Sequence, residues 1–142
     1  MAALTGNRDT QEKAHPASMI HSFQGADSTQ FYRGGMVVID QADGRLKKGS
    51  TDTGLVCVGR CEEDILTGAS NARKVKAKSG IFKWGNSADA DLIEADDIGK
   101  DCFIVDDQTV ALTNGTNTRS KAGTIYDVDS DGVWVFTQFP VG

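Results

Sequence analysis

Val75-Lys76-Ala77-Lys78-Ser79-Gly80-Ile81-Phe82, then Asp101-Cys102-Phe103-Ile104-Val105-Asp106-Asp107-Gln108-Thr109-Val110-Ala111, then Ala122-Gly123-Thr124-Ile125-Tyr126-Asp127-Val128-Asp129-Ser130-Asp131-Gly132-Val133-Trp134-Val135 decide the fold. Each stretch reads as short β-branched runs broken by tight polar turns. Residues 73–78 alternate strictly, with Val75 and Ala77 on one face and Lys74, Lys76 and Lys78 on the other, the mark of a half-buried strand. Residues 102–105 and 109–112 flank Asp106-Asp107-Gln108 as one hairpin, and 124–128 and 132–136 flank Asp129-Ser130-Asp131 as another.

Outward from these stretches the pattern continues. Met36-Val37-Val38-Ile39 ends at Gln41-Ala42-Asp43-Gly44, and Asp-Gly is a strong hairpin signal that returns the chain at 45–48. A further strand is expected over 54–61. Helix is scarce: 62–66 and 93–98 allow a turn or so each before Gly68 and Gly99. Seven or so short strands at this spacing predict an all-β domain, a small sandwich or barrel.

Residues 1–29 differ from the rest. They are polar, carry Pro16 and Gly25, and offer as large apolar side chains Leu4, Met19, Ile20 and Phe23. The expected organisation is therefore an extended N-terminal arm over 1–29, flexible until bound, and a β-rich domain over 30–142. Met19, Ile20 and Phe23 are the side chains through which such an arm would order on a partner. Phe82 and Trp84 follow Gly80 and are further candidates to project outward as partner contacts, since aromatic residues are enriched at interface hot spots. Trp134, within an apolar run, is expected in the core.

The 142 residues carry a net charge of −5 and 16 glycines. That acidity argues against nucleic acid as a partner, because phosphate neutralisation needs a basic surface. No apolar run approaches the ~20 residues of a membrane helix, and no signal peptide is read at the start, so synthesis in the cytoplasm is expected. Three cysteines do not close a disulfide framework. Cys57 and Cys61, four apart on one strand, are expected on the same face as reduced thiols. A zinc site lacks its second ligand pair, so no metal and no cofactor are expected.

Other chemistry is weaker still. Asp127, Asp129, Asp131 and Gly132 match the first half of a calcium loop, but its twelfth position is Gln138 in place of a bidentate glutamate. A hairpin turn explains the same residues. The acidic cluster Asp89, Asp91, Glu94, Asp96, Asp97 and Asp101 reads as a solvated face more readily than as a glycosidase pair, which needs a sugar cleft. His15 and His21 both fall in the N-terminal segment, away from any nucleophile. No enzymatic activity is expected. Lys74, Lys76 and Lys78 read as protection of a sheet edge.

Over about 30–138, the succession of Gly80-Ile81-Phe82 after an alternating strand, Asp96-Asp97-Ile98-Gly99-Lys100, Val105-Asp106-Asp107-Gln108-Thr109-Val110, Ala122-Gly123-Thr124-Ile125 and the closing Asp131-Gly132-Val133-Trp134-Val135 resembles the head-decoration, or capsid cement, proteins of tailed bacteriophages. The resemblance implies a small β-barrel or β-tulip. It also implies a homotrimer, or else a dimer, on the outer surface of a virion, stapling neighbouring subunits of the major capsid protein. The polar N-terminus is similar to the arms with which such proteins reach along a shell. The resemblance carries no catalytic residues. The rival from another class is a carbohydrate-binding β-module on a virion or cell surface, with Trp84 as its aromatic platform.

Overall fold

The computed structural model describes residues 2–69 and 73–140. In chain order the strands are β1 (Glu12–Lys13), β2 (Met19–Gln24), β3 (Gln30–Phe31), β4 (Met36–Asp40), β5 (Arg45–Lys48), β6 (Leu55–Cys61), β7 (Ile65–Leu66), β8 (Lys74–Trp84), β9 (Asp101–Ile104), β10 (Val110–Ala111), β11 (Lys121–Asp129) and β12 (Gly132–Thr137). Two 3-10 turns, Asp89–Asp91 and Ala95–Asp97, complete the described structure. With 46% strand and 4% helix the fold is all-β, a strongly curled sheet of barrel or sandwich type.

The alternating segment 74–84 is its spine. The main path runs β10-β9-β11-β12-β8-β6-β4-β5. β8 pairs with β2 over 74–79 and with β12 over 80–84 on one edge, and with β6 at Lys78 and Ala77 and β1 at Phe82 and Ile81 on the other. Each edge of this strand thus receives two partners end to end. Bridges from Gly25 to Leu46 and from Gly85 to Thr109 curl the two ends of the sheet back on themselves.

Two cores result, on opposite faces of β4. Met36 and Val38 enter the larger, with Cys57, Phe82, Trp84, Ile93, Cys102, Ile104, Ile125, Val133 and Val135. Val37 enters the smaller, with Phe31, Leu46, Val58, Cys61, Ile65, Val75 and Ala77. Burying such side chains contributes about 1.5–3 kcal/mol each, which makes alternation on β4 and β8 the main sequence determinant of the fold.

All three expected hairpins form. At the first, Ile39 pairs with Leu46, the Asp40 carboxylate accepts the Ala42 N–H at 2.9 Å, and Gly44 takes φ +74°, a conformation that favours glycine. The third closes at Asp129 opposite Gly132. The expected turn at 62–66 is instead the short strand β7, paired with β3 so that Ile65 is buried. The turn at 93–98 is the 3-10 segment Ala95–Asp97. Its ends are fixed by a reciprocal capping box between Glu94 and Asp97.

Cys57 and Cys61 do not share a face. A bulge against β4, where Val37 pairs with Gly59 but Val38 with Cys57, inserts one residue and reverses the alternation. Cys57 therefore enters the larger core and Cys61 the smaller. Burial raises the Cys57 thiol to about 12 and the Cys61 thiol to about 11, and pushes Cys102 up as well. All three are free thiols.

Residues 1–29 were expected to stand apart as an arm. In the structure the described part lies on the β domain. β2 occupies six positions of β8, placing His21 and Phe23 on the side of Ala77 and Val75, where Phe139 packs 5.3 Å from each ring. Lys13 and His15 cover the outer face of β12, His15 resting 4.8 Å from Phe136. Upstream, the Leu4 N–H donates to the Asp107 carboxylate at 2.8 Å, the Arg8 N–H to the Arg33 carbonyl at 2.7 Å, and the Thr10 hydroxyl to the Gly34 carbonyl. The physical reason is local. β8 needs partners for its backbone groups on both edges, and 12–13 and 19–24 supply them.

Asp107 gives this attachment a pH dependence. Burial holds its carboxyl above the ordinary 3.8, helped by Asp106 and opposed by the Leu4 N–H and Lys48. As pH rises from 3.8 to the raised folded value, the unfolded chain gives up this proton first, so the folded state binds more protons and stability falls. Asp107→Asn keeps an oxygen for Leu4 and removes the charge. The variant is expected to match or exceed the wild-type urea midpoint at pH 7 and to lose that advantage toward pH 3. A variant weakened at pH 7 but not toward pH 3 would show that the charge itself secures the strap.

Candidate functional site

Of the side chains expected to meet a partner, Met19 and Ile20 are exposed, at 56% and 57%. They lie on opposite faces of β2: Met19 is paired with Ser79 on the core side, and Ile20 with Lys78 on the lysine side. Phe23 is partly buried against the smaller core. Phe82 and Trp84 do not project outward. They are 0% and 1% exposed, with rings 6.3 Å apart in the larger core. Their positions share the parity of the solvent-facing Lys74 and Lys76, but here the face is roofed by the curl of the sheet. Neither residue can touch a partner directly, and Trp84 cannot be a sugar platform.

Trp134 is buried as expected, though not by the larger core that holds Val133 and Val135. It lies under the ammonium groups of Lys13, at 4.4 Å, and Lys83, at 5.6 Å, and donates its indole N–H to Asp129 at 3.1 Å. Lys83 also ion-pairs with Asp129 at 3.0 Å and with Asp131. Hydrogen bonds from Asp131, Lys83 and Trp134 hold the Asp129 carboxyl far below its usual range. A lysine thus stands where the half calcium motif would place a cation. No cluster of three or more metal-ligating side chains occurs among the described residues.

The acidic run 89–101 is likewise engaged in structure. Asp91 accepts the Thr113 hydroxyl at 2.6 Å and pairs with Arg119 at 3.2 Å. Asp97 caps Glu94 and pairs with Lys100 at 3.0 Å, and both carboxyls are held below the ordinary value by these hydrogen bonds. Lys74, Lys76 and Lys78 do not guard an edge, because β8 is central. They share a face with Ile20, Ser22 and Gln24, and Lys78 pairs with Glu12 at 2.8 Å. His21 lies 3.1 Å from the Ser79 hydroxyl, its pKa lowered by burial.

Two concavities stand out among the described residues. One, of about 280 Å³, opens between β6, β11 and β12 and is lined by Leu55, Cys57, Ala122, Thr124, Phe136 and Thr137 among others. The second, of about 190 Å³, is polar and lies where the N-terminal strap crosses the turn before β4. Arg8, Asp9, Thr10, Arg33, Gly34, Arg60 and Glu62 form it. Sequence reasoning missed this second pocket, since its arginines are 25 and 27 residues apart and no local pattern joins them.

Comparison with family models, curated proteins and solved structures gives no match for this chain.

Proposed function

We propose that this chain is a structural virion protein of the head-decoration type, binding the outer surface of a phage capsid as a homotrimer and stapling neighbouring major capsid subunits. The observation that carries the reading is the pair Met19 and Ile20: two large apolar side chains, each more than half exposed, on a strand fixed along six positions of β8. No backbone group of that strand pairs on its outer edge among the described residues. A pre-ordered strand loses little entropy on docking. The order of hairpins that resembles the cement proteins supports the same reading. A trimer would present several weak footprints to a lattice, and linked footprints gain ~10²–10⁴ in avidity.

Deleting 1–29 would strip β1 and β2 from β8, so the test is made on side chains. Met19→Thr combined with Ile20→Thr preserves strand propensity and, at exposed positions, should leave stability within about 0.5 kcal/mol. Burying one such apolar side chain is worth about 1.5–3 kcal/mol, so loading onto expanded shells should fall at least ~10-fold per protomer. Co-sedimentation with purified shells, compared with free capsid subunits, reads this. Wild-type protein that ignores shells would defeat the reading. Equal loading of the double variant would defeat the part assigned to β2.

A further inference from the structure

We infer that the pocket formed by Arg8, Arg33 and Arg60 is a binding site for a single carboxylate, the side chain of a glutamate or aspartate on a protein partner. The assignment rests on how the three guanidinium groups are occupied. Arg60 is saturated: Nε and Nη2 grip Glu62 at 2.7 and 3.1 Å, Nη2 reaches Glu12 at 3.6 Å, Nη1 donates to the Thr10 carbonyl at 2.7 Å, and the group lies 4.7 Å over the Phe82 ring. Its charge is matched within the fold.

Arg8 differs. It is half-buried, its guanidinium 5.5 Å over the Trp84 ring, and one nitrogen, Nη1, makes both its side-chain hydrogen bonds, to the Thr10 hydroxyl at 2.8 Å and the Lys83 carbonyl at 2.9 Å. Both acceptors are neutral. No carboxylate lies within ion-pair distance of Arg8 among the described residues, and its Nε and Nη2 donors have no protein partner there. A desolvated cation without a counter-charge is a costly arrangement that an incoming anion relieves. The consequence is already visible in Arg8, whose pKa burial lowers. Arg33, on the same pocket wall, is exposed. Its backbone N–H donates to the Asn7 side chain at 3.0 Å, while its guanidinium has no hydrogen bond or ion pair among the described residues. Two arginines with unmatched guanidinium groups line one 190 Å³ concavity, and arginine outperforms lysine where paired donors grip a planar anion.

The rim selects which anion. Asp9 and Glu62 also line the pocket, so its formal charge is three positive against two negative, a balance of +1. A monoanionic carboxylate satisfies that balance, whereas a phosphate dianion would be opposed by both acidic residues. The volume accommodates a carboxylate with its short methylene stem.

The test uses the full chain and N-acetylglutamate α-methylamide, whose one charge is the side-chain carboxylate, with the glutamine analogue as its neutral isostere and inorganic phosphate at pH 7.5 as the rival. Side-chain Nε–Hε resonances of the arginines are followed by NMR at constant ionic strength. The glutamate probe is expected to shift Arg8 and Arg33 saturably at roughly 1–50 mM, with the glutamine analogue silent. Arg33→Ala removes an exposed group and keeps both backbone hydrogen bonds of that residue. It should fold normally and weaken binding at least ~5-fold, and Arg8→Lys should weaken it at least ~3-fold through loss of the fork. Tighter binding of phosphate than of the glutamate probe would overturn the carboxylate assignment. Unsaturable shifts, or a response unchanged in Arg33→Ala, would overturn the site itself.

Discussion

Replacing Trp84 with alanine is expected to cost about 3–5 kcal/mol of unfolding free energy, the range for emptying a large aromatic site in a packed core. A domain of ordinary stability has about 5–15 kcal/mol in all, so the variant should sit at the edge of folding. The magnitude follows from position: Trp84 is 1% exposed, packs beside Phe82, and supports Arg8 from below. Urea titration should show the midpoint collapse with little change in slope. Trp84→Phe, which retains a ring, should lose clearly less. A loss under about 1 kcal/mol in the alanine variant would mean that the side chain faces solvent, and would revive a sugar-platform role.

Gly59→Ala is expected to be as damaging although it adds a single methyl group. Gly59 sits in the β6 bulge at φ +138°, and a Cβ there would overlap the Lys78 carbonyl oxygen on β8. Strain at such a backbone angle is worth about 1–3 kcal/mol, and the overlap adds to it because the obstacle is main chain. A loss of roughly 3 kcal/mol or more is the expectation, with β6 and β8 forced apart. Gly44→Ala serves as the control. Its φ is +74° but nothing lies within 4 Å of the added atom, so about 1–2 kcal/mol should be lost. Equal effects at the two positions would mean that angle alone, without the close approach of β8, sets the cost.

What could be read from the sequence was what is local. The three hairpins were legible because their turns, including Asp43-Gly44 and Asp129-Ser130-Asp131-Gly132, carry the backbone requirement in their own residues. So was the half-buried strand from Lys74, whose alternation survives in the burial of Val75 and Ala77. Cover by distant segments was not legible. Phe82 and Trp84 share the parity of the exposed lysines, and only the curl of the sheet decides that one half of that face meets water and the other a core. The bulge at Gly59 was equally hidden, and with it the separation of Cys57 from Cys61. The polar look of 1–29 concealed two strands, because pairing with β8 is a demand of β8 and leaves little trace in the partner's composition. Among the candidate contacts of the N-terminal segment, Met19 and Ile20 are exposed and Phe23 is partly buried. The arginine pocket left no sequence signal at all, being assembled from a strap, a turn and a strand.

The double-sided pairing of β8 also sets when the chain can fold as it leaves the ribosome. β1 and β2 emerge first but have no partner until residues 74–84 follow, so about 60 residues and roughly 3–12 s of synthesis at ~5–20 residues per second separate them from their ladder. Even then β8 lacks one edge of its second half until Gly132–Thr137 is made. Neither core is complete before that strand arrives, since Phe139 caps the smaller and β12 walls the larger. The nascent domain therefore carries unsatisfied strands until residues 132–137 are made, and closes when strands from either side of β8 in sequence have both joined it. Anything that delays or removes the last strand leaves the first ones exposed as aggregation templates.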